Sequence, residues 1–200
     1  MDEKKTTEKR NLKRNRGKMF FLQAAKEMIT REGVESVSVR KVADAAGYSY
    51  PTLYNYFEDL NELLWETKLF MIHELMEALQ RKMHDPIEDK EGIKNVFKTY
   101  MEYYLTNPNV FRFFYFYSVH KPSRESEDAF ADPDYGAMWK ETFKSFVLSG
   151  RLKPEDIEAV AKISIYAIHG MLTLSFSKNG ELSDQASLYR DLDKIVDYLL

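Results

Sequence analysis

An all-α fold is what this sequence predicts, and three observations carry the prediction. Apolar residues recur at helical spacing along nearly the whole chain. No segment alternates convincingly at period two. Glycine and proline number only 8 and 6 in 200 residues, too few for the many turns of an all-β chain. The apolar share of 44% is ordinary for a chain with a real core. The expected arrangement is an N-terminal three-helix domain followed by a helical body, about nine helices in total.

The elements follow in order. Lys4 to Lys18 is polar and basic, and its early part reads as an arm. Phe21, Ala24, Ala25, Met28 and Ile29 mark a first helix stopped by Gly33. Ser38 can cap a second helix carrying Val39, Val42, Ala43 and Ala46, which Gly47 interrupts. Ser49 can cap a short third helix with Pro51 in its first turn and Leu53 and Phe57 facing inward. A longer helix uses Leu63, Leu64, Ile72, Leu75, Met76, Leu79 and Met83 and ends before Pro86. Ile93, Val96, Phe97, Tyr100, Met101, Tyr104 and Leu105 form the next. Pro108 starts another that runs from Val110 to about Val119, and Lys121 to Asp132 reads as a loop. Tyr135, Met138, Trp139, Phe143, Phe146 and Val147 make one helix, stopped at Gly150. Pro154 opens a helix reaching about Lys178, and Leu188, Leu192, Ile195, Val196 and Leu199 mark the last.

Charge divides the chain. Met1 to Phe57 holds 12 Lys+Arg against 7 Asp+Glu, a balance of +5, whereas the rest carries 17 against 25, or −8. A basic head on an acidic body directs only the head to a polyanion. With no cysteine, disulfides, thiol catalysis and thiolate-bound metals are excluded, in keeping with a cytoplasmic protein. The most membrane-like stretch, Ile163 to Phe176, reads as too short to span, so no membrane partner is expected.

The functional signal lies in Val39 to Phe57, which read VRKVADAAGYSYPTLYNYF. Two short helices joined at Ala46-Gly47-Tyr48 have the geometry of a helix-turn-helix. Ala43 is small where the helices must approach, and Gly47 stands where the chain must reverse. Val42, Leu53 and Phe57 supply the core. Tyr50, Thr52, Tyr54, Asn55 and Tyr56 are left outward, able to bond phosphates and base edges without a charge that DNA repels. Ser49 and Pro51 begin the same element. Arg14 in the arm, with Arg40 and Lys41 at the start of the second helix, are the expected phosphate contacts.

These residues together resemble the N-terminal domain of the TetR family of transcriptional repressors. That family shows an apolar helix ending in Gly, then a pattern like T-V-x-x-I-A-x-x-A-G-V-S-x-x-T-L-Y-x-Y-F. Gly33, Ser38, Val39, Val42, Ala43, Ala46, Gly47, Ser49, Thr52, Leu53, Tyr54, Tyr56 and Phe57 fill those places. The match covers roughly residues 17 to 65. Two departures stand out. Pro51 replaces a common Gly, and Asp59-Leu60-Asn61-Glu62-Leu63 puts Leu60 where the family often has a phosphate-contacting Lys. The basic arm is the candidate substitute for that contact.

The resemblance implies a division into a DNA-binding head, residues 1–60, and a ligand-sensing and dimerisation body, residues 61–200. It implies a homodimer on a palindromic double-stranded operator, released by a small-molecule effector and needing no cofactor. Within the body, Tyr104, Phe114, Tyr117, Trp139 and Phe143 are the candidate pocket lining, suited to an apolar, flat or cationic ligand. His169 is a candidate polar anchor there. Ile157, Val160, Ala161, Ser164, Ile168 and Met171 form one stripe of the penultimate helix, while Ile163, Tyr166, Gly170, Leu174 and Phe176 occupy other faces. A helix apolar on more than one side is buried on more than one side. Ile168, Met171, Leu188, Leu192 and Ile195 are the candidate dimer contacts.

The remaining histidines are His73, His84 and His120. His73 and Glu77 stand at i, i+4, but no third ligand is spaced to complete a metal site. No carboxylate pattern, phosphate-cradling Gly loop or G-x-S-x-G elbow points to catalysis. Two rivals remain open: a helix-turn-helix protein whose body is a ligand-free interaction module, and a small all-α enzyme.

Overall fold

The computed structural model describes residues 2–82, 87–123, 130–177 and 184–200, with side chains from Arg14 onward except Lys82. Ten α-helices lie among them: α1 (Asp2–Glu32), α2 (Val39–Ala45), α3 (Tyr50–Leu53), α4 (Leu60–Lys82), α5 (Lys90–Thr106), α6 (Pro108–Tyr115), α7 (Tyr135–Thr142), α8 (Lys144–Leu148), α9 (Ile157–Ser175) and α10 (Gln185–Leu199). No strand occurs among the described residues, so the all-α expectation holds. The chain packs as two compact units, Met1–Glu74 with Asn107–Asp132, and Leu75–Thr106 with Pro133–Leu200. The first part of α4, to Glu74, and the segment Asn107–Asp132 pack in the same unit as the head. Met83, His84, Lys178 and Gly180 lie outside the described residues.

In the first unit the segment read as an arm is the beginning of α1. Its residues are largely Glu, Lys and Arg, with no Pro and no Gly before Gly17, so the helix propagates backward from its packed part at little cost. Gly33, at φ 91°, ends α1 as expected, with its N–H on the Ile29 carbonyl at 3.0 Å. Ser38 caps α2 by accepting from the Lys41 N–H at 3.3 Å, and Gly47 adopts φ 76° at the reversal. Ser49 stands at the N-cap of α3, but its hydroxyl pairs with that of Thr52 at 2.7 Å rather than with the backbone. At the start of α4, Asp59 accepts from the Glu62 N–H at 2.8 Å while the Glu62 carboxylate accepts from the Glu58 N–H. This is a reciprocal cap in the manner of a capping box.

Helix α6 packs on α1, and Asn109 donates to the Thr30 carbonyl at 3.2 Å. It stops at Tyr115, short of the expected Val119. The Lys68 ammonium donates to the Phe114 carbonyl at 2.9 Å. The lysine thereby satisfies one of the carbonyls left open at the C-terminal end of the helix.

In the second unit Ile93, Phe97, Tyr100, Met101 and Tyr104 of α5 are buried, as their spacing demands. The single helix expected from Tyr135 to Val147 breaks in two at Phe143 (φ −98°, ψ 7°). The Thr142 hydroxyl donates back to the Met138 carbonyl at 2.9 Å, a bond that bends helices, and Phe143 is wholly buried at the bend. Gly150 closes α8 at φ 73°. A 3-10 turn, Pro154–Asp156, leads into α9. By length and composition Pro154–Ser175 would reach across a bilayer, longer than the sequence stretch suggested. One face of α9 is instead covered by α5, α7 and α10 of its own unit. Asp184 caps α10, which lies on α5 and is tied there by Lys98 to Asp193 at 2.6 Å and Lys94 to Asp197 at 2.9 Å.

Candidate nucleic-acid interface

Helix α3 and the turn that follows it are positioned by their apolar half. Val42, Ala43, Leu53 and Phe57 are fully buried with Phe21 of α1, whose ring meets Phe57 edge-on at 6.2 Å and Tyr48 at 5.0 Å. With Leu53 and Phe57 used as anchors, Tyr50, Pro51, Tyr54 and Asn55 are exposed and Thr52 is half-buried. The Tyr50 and Tyr54 rings meet edge-on at 5.3 Å. A hydrogen bond with the Tyr50 side chain pushes the Tyr54 phenol pKa up, with desolvation and the charges of Tyr50 and Asp59 adding to it. Tyr54 is therefore a neutral hydrogen-bonding group at pH 7.

Tyr56 does not join this outward set. Its ring packs on Phe21 at 5.2 Å, and its hydroxyl sits where a Cβ on Gly17 would collide. Gly17 is thus the notch in α1 that lets Tyr56, just beyond α3, lie close.

The cations fall into two groups. Arg14 and Arg40 are exposed, and Lys41 is exposed with its ammonium on the Ser36 carbonyl at 3.1 Å. Lys18, counted with the basic arm in the sequence, is turned inward. It pairs with Glu66 of α4, their side chains 6% and 2% exposed, and its ammonium lies 5.8 Å from the centre of the Phe57 ring. Eight residues further along both helices Lys26 pairs with Glu74 at 2.9 Å and lies 5.5 Å from the Phe70 ring. The signal was present: Lys18 shares the helical face of Leu22, Ala25 and Ile29.

The candidate effector residues separate. Tyr104, Trp139, Phe143 and His169 belong to the second unit, whereas Phe114 and Tyr117 belong to the first. In the second, Tyr100 joins the set: its hydroxyl and His169 Nε2 share a 2.8 Å hydrogen bond, and the two rings stack. Burial pushes the His169 pKa down, so the imidazole is uncharged at pH 7. Tyr104 meets Tyr100 edge-on at 5.1 Å, and Trp139 lies 6.1 Å from Phe97. In the first unit, His73 bonds the Ala131 carbonyl at 2.7 Å. No three His, Asp or Glu gather as metal ligands among the described residues.

The residues expected at a dimer contact lie mostly inside the chain's own packing. Ile168, Met171, Leu188 and Leu192 are buried in the chain's own core, and Ile195 is half-buried. The stripe read as an interface is the one that α5 and α10 cover. The apolar residues left outside on α9 are Ile163, Tyr166 and Leu174, which are 50%, 67% and 56% exposed, with Gly170 exposed between them.

Residues 21–67 match the family of bacterial regulatory proteins, tetR family. No curated protein matches the chain. Among solved structures the chain is similar to a TetR family transcription regulator from Marinobacter aquaeolei VT8, at 20% identity over 90% of this chain and 94% of that one, TM-score 0.61. It is similar to the regulator FadR from Bacillus subtilis, in complex with stearoyl-CoA, at 16% identity over 91% and 98%, TM-score 0.66. It is also similar to Thermus thermophilus FadR, a TetR family repressor in complex with lauroyl-CoA, at 17% identity over 91% and 92%, TM-score 0.62. At these identities the likeness is one of fold. The chain has the fold of TetR-family transcriptional regulators, and its head carries that family's helix-turn-helix pattern.

Proposed function

We propose that this protein is a cytoplasmic transcriptional repressor that binds a palindromic operator as a homodimer and is released by a small-molecule effector held in its helical body. The observation that carries the reading is the division of labour within the helix-turn-helix. Its apolar side chains are consumed by the head's core, while Tyr50, Pro51, Tyr54 and Asn55 face solvent in the basic part of the chain. Thr52 and Ser49 complete the reading edge, Arg14, Arg40 and Lys41 supply phosphate contacts, and Tyr56 acts from behind by bracing the element on α1.

One helix-turn-helix reads only a few base pairs, so specificity requires two copies on two half-sites. The exposed stripe Ile163, Tyr166, Gly170 and Leu174 of α9 is the surface we assign to that pairing. For the effector, Tyr100, Tyr104, Trp139, Phe143 and His169 supply aromatic walls and an uncharged polar pair, which suits an apolar or aromatic ligand. Phe114 and Tyr117 are left out of this set.

Selection of bound duplexes from a random DNA pool tests the reading. Recovery of a palindrome with half-sites one helical turn apart is the expected result. Arg40→Ala should weaken binding on every duplex, whereas Asn55→Ala should change which base pairs are preferred, at about 1–3 kcal/mol per lost base contact. Equal retention of all duplexes by the parent protein would overturn it. Thermal-shift screening then identifies a ligand, which should dissociate the operator complex.

A further inference from the structure

Leu60 leaves the start of α4 without a cation, and the structure shows which other part of the chain reaches that point. The Lys68 ammonium holds the Phe114 carbonyl at the end of α6. From there the chain runs back along α4 toward its N-terminus. Asn61, the second residue of α4, pins it at His120 by both backbone groups: Asn61 Nδ2 donates to the His120 carbonyl at 2.7 Å, and the His120 N–H donates to Asn61 Oδ1 at 3.0 Å. A side-chain amide used in this bidentate way fixes both position and direction of the strand it holds. The chain is back at the middle of α4 by Ala131, where His73 bonds its carbonyl at 2.7 Å and Phe130 packs on Phe70 at 5.6 Å. His120 and Lys121 are therefore delivered, exposed, beside the first turn of α4.

That turn borders the reading element. Only Glu58 and Asp59 separate Phe57 from α4, and the Asp59 charge is close enough to act on the Tyr54 phenol. Glu58 and Asp59 are exposed, so this corner would repel phosphate unless a cation stood by it. Lys121 forms a 3.2 Å pair with Asp132, with side chains 51% and 61% exposed. A pair so exposed contributes little and can be exchanged for a phosphate.

We propose that the segment at His120 and Lys121, pinned to α4 by Asn61, is a second DNA-contacting element that supplies the backbone phosphate contact absent at Leu60. It lies outside the helix-turn-helix, some sixty residues further along the chain. The inference rests on the DNA-binding reading above.

Its test compares the parent with Lys121→Ala, Asn61→Ala and Asp132→Asn on the selected operator and on an unrelated duplex, across a series of salt concentrations. Lys121→Ala should weaken binding to both duplexes and lower the salt slope by roughly one per contact per protomer. Asn61→Ala keeps the cation but frees the segment, and it should lose affinity in the same sequence-independent way, with the thermal midpoint measured alongside to show that the head remains folded. Asp132→Asn should strengthen binding, because it removes one carboxylate that competes with phosphate for Lys121. If the parent binds the operator and Lys121→Ala leaves both affinity and salt slope unchanged, the second element is refuted while the DNA-binding reading survives. If the parent binds no DNA, that reading fails first.

Discussion

The buried pair of Lys18 and Glu66 makes the sharpest energetic prediction. Both side chains are almost wholly out of water, with Phe57 beside the ammonium. Lys18→Met keeps the aliphatic stem and removes the charge, leaving the Glu66 carboxylate without its lysine. Breaking one partner of a buried pair costs about 3–5 kcal/mol, because the remaining charge stays desolvated without its counter-ion. At about 2–4 °C per kcal/mol for a chain of this size, the thermal midpoint should fall by roughly 6–20 °C. Glu66→Leu alone should be comparably harmful. The double variant Lys18→Met with Glu66→Leu removes both charges and places apolar groups of similar volume against Phe57, and it should regain most of the loss. Circular dichroism melts of the four proteins at one fixed concentration read the cycle, since association would otherwise shift the midpoints. Additive single effects, or a Lys18→Met midpoint within a degree or two of the parent, would refute the claim that this pair is coupled and buried.

The other predictions follow from single positions. Gly47→Val should cost about 1–2 kcal/mol in urea denaturation, and for conformational reasons alone, because φ is 76° and nothing lies within 4 Å of a Cβ there. Ile163→Arg should yield a folded monomer by sedimentation, whereas Ile168→Arg should unfold the second unit because Ile168 is buried in its core. The reverse pattern would return the interface to the other stripe. His169 is held uncharged by burial. Its contribution to stability is full above the ordinary histidine pKa of about 6.5 and is lost as pH falls below it, because the unfolded chain takes the proton first. His169→Phe should therefore flatten the decline in thermal midpoint between about pH 7 and pH 5.

Local chemistry determined much of this protein without help from the fold. Helical periodicity located nearly every element, Gly33, Gly47 and Gly150 marked reversals that need positive φ, and Ser38 announced its cap. The helix-turn-helix was legible because its demands are short-range: a small residue at a close approach, a glycine at the turn, three apolar anchors within about five turns of helix. Tertiary structure decided what depends on distant partners. The sequence shows that α9 has two apolar faces, but only the packing of α5 and α10 decides which is core and which is left outside. Lys18 looks like another cation of a basic arm until Glu66, forty-eight residues on, takes its charge inward. Lys68 satisfies a carbonyl at the end of α6 and Asn61 holds the path beyond it, two α4 side chains that bond backbone far away in sequence. Periodicity reports how a helix divides between apolar and polar surroundings. It carries no record of which neighbour supplies them, because burial and hydrogen bonding across the fold are settled by the whole chain at once.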